Sequence, residues 1–129
     1  MNFTIIPRSW TPTLHALLRV VTGLLFLEHG TGKILGFPAN LPNLDKMPGA
    51  MVIGTGLLEL IGGVLIVIGL LTRPVAFLLS GFMAVAYFLA HFPMDFFPAK
   101  NYGEPAILFC FVFLFLAAAG PGPYAVDKA

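Results

Sequence analysis

The residues of this sequence most able to do chemistry are ionisable side chains that interrupt long apolar runs. Glu28 lies roughly 10 Å before the end of the first run, and Glu59 lies roughly 12 Å into the second, at the helical rise per residue. Because consecutive spanning helices are antiparallel, the two carboxylates should lie at similar depth. A charge within the hydrocarbon core costs at least roughly 2.5 kcal/mol, so such groups usually serve a function. Glu28 and Glu59 are therefore predicted to be catalytic groups that carry protons.

Further polar side chains are expected on the same side of the membrane, because successive spanning helices alternate in direction. Together they would form a pocket open to one aqueous face. Lys33 and His91 are predicted to be catalytic with the two carboxylates, since an ammonium and an imidazole can hydrogen-bond a substrate carbonyl or move a proton. The predicted substrate-binding residues are His29, Tyr87, Tyr102 and Glu104.

Each of these residues also has a structural interpretation that the sequence leaves open. Glu104 could be an acid that stabilises a helix N-terminus, and Lys33 could extend to the lipid headgroups. His91 could cap the last carbonyl groups of its helix. Glu28 and Glu59 could hold helices together through a basic partner. Such a clasp would have no part in catalysis.

Two arginines and several glycines favour structural roles. Arg19 lies deep enough within the first run to need a partner, and it is predicted, with Arg73, to form a structural clasp. Gly56, Glu59 and Gly63 fall on one helix face, where small residues let a neighbouring helix approach closely. The carboxylate of Glu59 is therefore expected to point between helices.

Composition determines the fold class. Of the 129 residues, 58% are hydrophobic and 10% charged, whereas about 25% are charged in a soluble domain. A spanning helix needs about 20 apolar residues, and four such runs are present. The sequence predicts an all-α integral membrane protein, a four-transmembrane-helix bundle forming one domain in the lipid bilayer. Its helices are expected at about 13–35, 51–71, 75–92 and 104–119, with a break at Thr72–Pro74.

Charge and cysteine content exclude several classes. Basic residues occur singly and the net charge is +1, so no nucleic-acid partner is expected. The lone Cys110 excludes an internal disulfide and a Cys-x-x-Cys redox pair. Haem ligation by His29 and His91 rests on two histidines alone, and the Glu-x-x-His spacing of carboxylate metal sites is lacking. Neither haem nor a metal is therefore expected, and the cofactor stays unknown.

Targeting features are few. The first apolar run is too long for a signal peptide and lacks a cleavage site after it, so the first helix is expected to remain in the mature protein. Loop charges favour cytoplasmic termini by a single positive charge. The expected localisation is the bacterial inner membrane, with several spans.

Four motifs, read in order, resemble those of the DoxX family of small bacterial membrane proteins. The resemblance covers the chain from about Leu18 to Asp127. The motifs are Arg19-x3-Gly23-x2-Phe26-x3-Gly30-x2-Lys33, Glu59-Leu60-x-Gly62-Gly63 followed by Gly69-Leu70-Leu71-Thr72-Arg73-Pro74, Gly103-Glu104, and Gly120-Pro121-Gly122-Pro123-Tyr124-x2-Asp127.

The resemblance implies a four-helix inner-membrane protein of a family described as candidate oxidoreductases. Some relatives are linked to quinones, as a subunit of thiosulfate:quinone oxidoreductase or in responses to catechol and quinone stress, and others are thought to assemble with soluble redox partners. The family has no settled mechanism. The polar residues that match its motifs are Arg19, Lys33, Glu59, Arg73 and Glu104.

Three functions follow as hypotheses. The first is a membrane oxidoreductase, or a subunit of one, that acts on a quinone or another small lipophilic substrate. Its electrons would come from a bound cofactor or from a partner protein. The second is a non-catalytic anchor or scaffold for a soluble redox partner. The expected protein partner is such a redox protein or a second copy of the chain in a homo-oligomer. The third is a small transporter or proton pathway that uses the same carboxylates.

Overall fold

The computed structural model describes residues 1, 3–42 and 44–128, and the regular structure within these ranges is helical. Helical stretches at Arg8–Ile34, Gly49–Ile68 and Thr72–Met94, of 27, 20 and 23 residues, are long and apolar enough to cross a bilayer. A shorter apolar helix of 16 residues spans Glu104–Ala119. The predicted all-α membrane class with four apolar helices is confirmed.

The helices are numbered in chain order. Helix α1 spans Thr11–Ile34, α2 spans Gly49–Ile68, and α3 spans Thr72–Ala86. A π-helical turn at Tyr87–His91 and a 3-10 turn at Phe92–Met94 prolong α3. The short helix α4 covers Pro98–Asn101, and α5 covers Glu104–Ala119. Two further 3-10 turns lie at Arg8–Trp10 and Leu44–Lys46.

The break between the second and third helices lies earlier than the sequence suggested. The predicted break at Thr72–Pro74 is wrong, because α3 already begins at Thr72. The chain turns instead at Gly69 and Leu71, which adopt left-handed φ angles of 70° and 53°. Pro74 fits the first turn of α3, where its missing N–H has no partner to lose.

The chain forms two compact units. The first comprises the described residues of Met1–Leu70 and Pro121–Ala129, and the second comprises Leu71–Gly120. In the first unit, α1 packs against α2. The C-terminal segment returns to the end of α2, where the amides of Val126 and Asp127 donate to the carbonyls of Ile68 (3.0 Å) and Gly69 (2.8 Å). The first unit is thus a helix hairpin held at one end by the tail.

Glycines allow α1 and α2 to meet backbone to backbone. A Cβ placed on Gly30 would lie 2.5 Å from the amide nitrogen of Leu60, and one on Gly63 would lie 2.9 Å from the Cα of Leu27. These contacts fix the antiparallel register, with Gly30 opposite Leu60. Such close approach is the usual role of small residues between membrane helices.

The second unit is a hairpin of α3 and α5. Leu79 and Phe113 are fully buried, and the hydroxyl of Ser80 donates to the carbonyl of Cys110 at 2.8 Å. Arg73 donates from Nη1 to the carbonyl of Ala118, at the end of α5. A polar contact therefore ties the beginning of α3 to the end of α5.

Candidate functional site

In the first unit, the structure brings two of the predicted catalytic residues together. The Nζ of Lys33 lies 2.8 Å from Oε1 of Glu59, and the two side chains are 13% and 6% exposed. Lys33 also donates to the hydroxyl of Thr55 at 3.0 Å, which in turn donates to the carbonyl of Met51 at 2.7 Å. Gly56 lies beside the Cβ of Lys33 and leaves room for the lysine stem.

This arrangement is a buried ion pair within an apolar hairpin. Each charge neutralises the other, so removing one partner would leave an uncompensated charge away from water. The ammonium of Lys33 is engaged by Glu59 and Thr55, which limits its capacity to bind a substrate carbonyl as well. The catalytic roles of Lys33 and Glu59 stay predictions.

Glu28 and His29 lie on an exposed part of α1. With Gly30 opposite Leu60, Glu59 lies opposite about residue 31, so Glu28 is deeper by about one helical turn, roughly 4.5 Å. Within the described residues Glu28 forms no salt bridge. Its role as a proton carrier and the substrate-binding role of His29 stay predictions.

Arg19 binds the C-terminal segment. Its side chain is 1% exposed and donates from Nη1 to the carbonyls of Pro121 and Pro123 (3.1 Å) and from Nη2 to that of Tyr124 (2.7 Å). Asp127 interacts electrostatically with the same guanidinium. The planar fork of an arginine suits several carbonyl acceptors at once. Arg19 therefore holds the tail against the helix hairpin.

The second unit contains a polar cluster built around a π-helical turn. Tyr87 begins this turn and His91 ends it, and their rings lie nearly parallel, with centroids 6.3 Å apart and an interplanar angle of 21°. Turns of this kind are rare and occur frequently at functional sites. The turn places two predicted site residues side by side.

Asn101 organises the cluster. Its side chain is fully buried, and Nδ2 donates to the hydroxyl of Tyr87 at 3.1 Å and to the carbonyl of Asp95 at 3.0 Å. Its Oδ1 accepts from the amide of Gly103 at 2.8 Å, which fixes the orientation of the side-chain amide. Both amide protons are thereby used.

These bonds settle which atoms of Tyr87 and His91 can donate and accept. The Nδ1 of His91 lies 2.8 Å from the carbonyl of Asn101, and a carbonyl only accepts, so Nδ1 is the donor. In a neutral imidazole, Nε2 then carries the lone pair. The hydroxyl of Tyr87 accepts from Asn101, which leaves its own proton for another acceptor. These bonds leave the hydroxyl proton of Tyr87, which is buried, and the Nε2 lone pair of His91 as the remaining donor and acceptor of the cluster.

Gly103, Tyr102 and Glu104 connect the cluster to α5. A Cβ on Gly103 would lie 2.5 Å from the ring of Tyr87, so the close packing at this point requires glycine. Tyr102 is exposed and has a left-handed φ of 60°. Glu104 is an exposed acid in the first turn of α5, where it suits the helix dipole. The substrate-binding roles of Tyr102 and Glu104 stay predictions.

The residues of the predicted single pocket belong to both units. That all of them line one pocket stays a prediction. Lys33 and Glu59 meet within the first unit, and Tyr87 and His91 meet within the second. Sequence reasoning missed the role of Asn101. An Asn followed two residues later by Gly, just before a helix, does predict an Asx turn. Nothing in the local sequence predicts that the side-chain amide also donates to Tyr87. In the described part of the chain, no three His, Cys, Asp or Glu side chains group as metal ligands would.

Comparison with known proteins identifies the family. A sequence model of the family described as DoxX matches residues 14–92, more than half of the chain. The chain belongs to the DoxX family. Among similar proteins, an "Uncharacterized protein" of Haemophilus influenzae is 38% identical over 124 residues, covering 93% of this chain and 92% of the relative. No solved structure matches the chain significantly.

Two further relatives of this DoxX protein carry informative names. "Inner membrane protein YqjF" of Escherichia coli is 33% identical over 85% of this chain and 86% of its own length. "Putative oxidoreductase CatD" of Bacillus subtilis is 39% identical over 50% of this chain and 49% of its own length. The Escherichia coli relative and the apolar helices together establish that this chain is a multi-pass inner-membrane protein in contact with the lipid bilayer. The cytoplasmic orientation of the termini stays a prediction.

Proposed function

We propose that this DoxX protein is an inner-membrane oxidoreductase, or the membrane subunit of one, that binds a quinone or a similar lipophilic ring compound beside His91 and Tyr87. The observation that supports this most strongly is the bonding of Asn101, which leaves a hydroxyl proton on Tyr87 and a lone pair on His91, two rings whose centroids lie 6.3 Å apart. The name of the Bacillus subtilis relative, which matches half of the chain, also points to redox chemistry.

The donor and acceptor fit both redox forms of such a ring. A quinone carbonyl would accept from the hydroxyl of Tyr87, and a quinol hydroxyl would donate to Nε2 of His91. Interconversion of the two forms moves two electrons and two protons. A redox partner protein, or a cofactor that it carries, would supply or remove the electrons. The protons would pass through His91, while Glu59 and Glu28 keep their proposed role as proton carriers.

Quinone binding to the purified protein in lipid nanodiscs tests the proposal with three variants. His91→Asn keeps a donor near the position of Nδ1 but removes the acceptor, whereas His91→Gln keeps a polar atom near Nε2. Loss of one hydrogen bond predicts a Kd about 3- to 10-fold higher for quinol with His91→Asn, and for quinone with Tyr87→Phe. His91→Gln should retain more of the quinol affinity.

Tyr124→Phe is the matched control, because the side chain of Tyr124 is exposed in the other unit, and its affinity should equal that of the wild type. Absence of saturable binding, or equal affinity in all of these variants, would contradict the proposal and favour the anchor or scaffold function. If binding persists but Glu59→Gln and Glu28→Gln leave turnover unchanged, the relay part of the proposal is wrong. If the protein instead carries protons or a solute across liposome membranes, and Glu59→Gln and Glu28→Gln abolish this flux, the transporter function would be favoured.

A further inference from the structure

The segment that follows the π-helical turn carries a continuous row of exposed aromatic rings. Phe92, Phe96 and Phe97 are 41%, 70% and 58% exposed, and Phe88, one turn before Phe92, is 60% exposed. Isolated exposed apolar side chains are ordinary, but a contiguous group of this kind marks an interaction surface.

The rings contact one another in sequence, beginning at the polar cluster. The centroids of Phe88 and Phe92 are 5.7 Å apart, those of Phe92 and Phe96 are 6.0 Å apart, and those of Phe96 and Phe97 are 5.3 Å apart. Tyr87 lies 6.4 Å from Phe92 by the same measure. The row therefore connects the ring of Tyr87 with the outer surface of the protein.

Polar groups in this segment are largely satisfied internally. The amide of Phe97 donates to Oδ1 of Asp95 at 2.9 Å, and the carbonyl of Asp95 accepts from the side chain of Asn101. Phe97 also accepts, through its carbonyl, from the amide of Lys100 at 2.9 Å. Pro93 and Pro98 carry no N–H at all. Pairing of these groups lowers the cost of leaving water, which suits the headgroup level, since irregular backbone exposed to lipid does not occur within the hydrocarbon core.

The side chain of Lys100 lies beside the rings. The Nζ of Lys100 lies 5.9 Å from the ring centroid of Phe97, within the range of a cation–π contact. The segment begins in the last turn of the helical stretch Thr72–Met94, which is long enough to span the membrane, so it lies near a membrane boundary. Aromatic rings beside a lysine are typical of the headgroup level, where the rings meet the acyl chains and the ammonium meets phosphate.

We propose that the segment from Phe92 to Lys100 is inserted into the lipid interface, and that the His91 site receives its ligand from the bilayer along this row of rings. The ligand class is then a membrane-dissolved ring compound and not a water-soluble one. The second half of this inference rests on the proposed function, whereas the insertion itself does not.

Tryptophan fluorescence tests the insertion in the full-length protein reconstituted into vesicles. In a Trp10→Phe background, Phe96→Trp places the sole tryptophan in the row, and Phe97→Trp provides a second probe. Lys128→Trp, in the exposed tail, is the control. We expect brominated phosphatidylcholine to quench Phe96→Trp and Phe97→Trp several-fold more than Lys128→Trp, and acrylamide to show the reverse order. Equal quenching of all three by acrylamide, without quenching by brominated lipid, would overturn the insertion.

Ligand delivery is tested separately with the double variant Phe96→Ser and Phe97→Ser. Binding of a long-tailed quinone dissolved in vesicles should weaken about 10-fold, while binding of a short-chain quinone added from water in detergent solution should be unchanged. Equal weakening of both ligands, or of neither, would overturn delivery from the bilayer. If no quinone binds the wild type, the proposed function fails while the quenching result still decides insertion.

Discussion

Replacement of Arg19 by leucine is expected to destabilise the first unit strongly and to release its C-terminal segment. The guanidinium donates hydrogen bonds to the carbonyls of Pro121, Pro123 and Tyr124, and leucine can donate to none of them. The bond to Pro121 is buried and the other two are part-buried. A buried carbonyl that loses its donor costs about 1–3 kcal/mol, so the predicted loss of unfolding free energy is at least of this size. Thermal unfolding in detergent measures this loss.

Release of the tail has its own readout. Ala125 lies beside Gly69. In a Cys110→Ala background, the substitution Ala125→Cys therefore provides a thiol that should react slowly with maleimide unless the tail detaches. Arg19→Leu should accelerate this reaction, and Arg19→Lys should have an intermediate effect because a single ammonium replaces a planar fork. Arg8→Leu is the control, since Arg8 is exposed. Unchanged Tm and labelling in Arg19→Leu would show that the tail is held by other contacts.

Glycine-to-alanine substitutions on the two helices of the first unit are expected to act with opposite signs. Gly30→Ala places a methyl group 2.5 Å from the amide nitrogen of Leu60 and 2.9 Å from the carbonyl oxygen of Gly56. Both are backbone atoms, so the helices must separate, at a cost of about 1–3 kcal/mol for an overpacked contact. The separation should also weaken the ion pair of Lys33 with Glu59.

Gly54→Ala is the matched control, because a Cβ there meets no atom within 4 Å. With no packing conflict, alanine should gain about 0.5–1 kcal/mol from its higher helix propensity. Thermal unfolding of the two variants in the same detergent gives the comparison. Stabilisation by both substitutions would mean that α1 and α2 do not touch through backbone at Gly30.

The parts of the fold that depend on composition and helical periodicity could be predicted from the sequence. The apolar runs predicted four helices, and the common face of Gly56, Glu59 and Gly63 predicted a carboxylate between helices; all three are buried. Both inferences need only the helical repeat and the energetics of the bilayer. Neither depends on contacts between distant parts of the chain.

Contacts between distant segments could not be predicted in this way. Arg19 clearly needed a partner, but its acceptors lie 102 to 105 residues further along and are main-chain carbonyls without a sequence signature. The bond from Asn101 to Tyr87 depends on the turn at Tyr102 and on the π-helical geometry before His91. Helical spacing alone carries none of this information.

The break before α3 shows a similar limit. The sequence predicts a break at Thr72–Pro74, and proline is common shortly after the end of a helix. Proline is equally suited to the first turn of a helix, and the left-handed Gly69 closes α2 three residues earlier. The observed turn also needs a left-handed Leu71, a residue type that seldom adopts positive φ.

Photoaffinity labelling with an azido-quinone in vesicles tests the central claim most directly, because it locates the ligand without assuming an activity. We predict saturable labelling within residues 87–102, displaced by excess unmodified quinone and reduced in Tyr87→Phe but not in Tyr124→Phe. Saturable labelling confined to the first unit, around Lys33 and Glu59, would contradict the assignment of the site to His91 and Tyr87. Labelling that excess quinone cannot displace would contradict the existence of a specific quinone site.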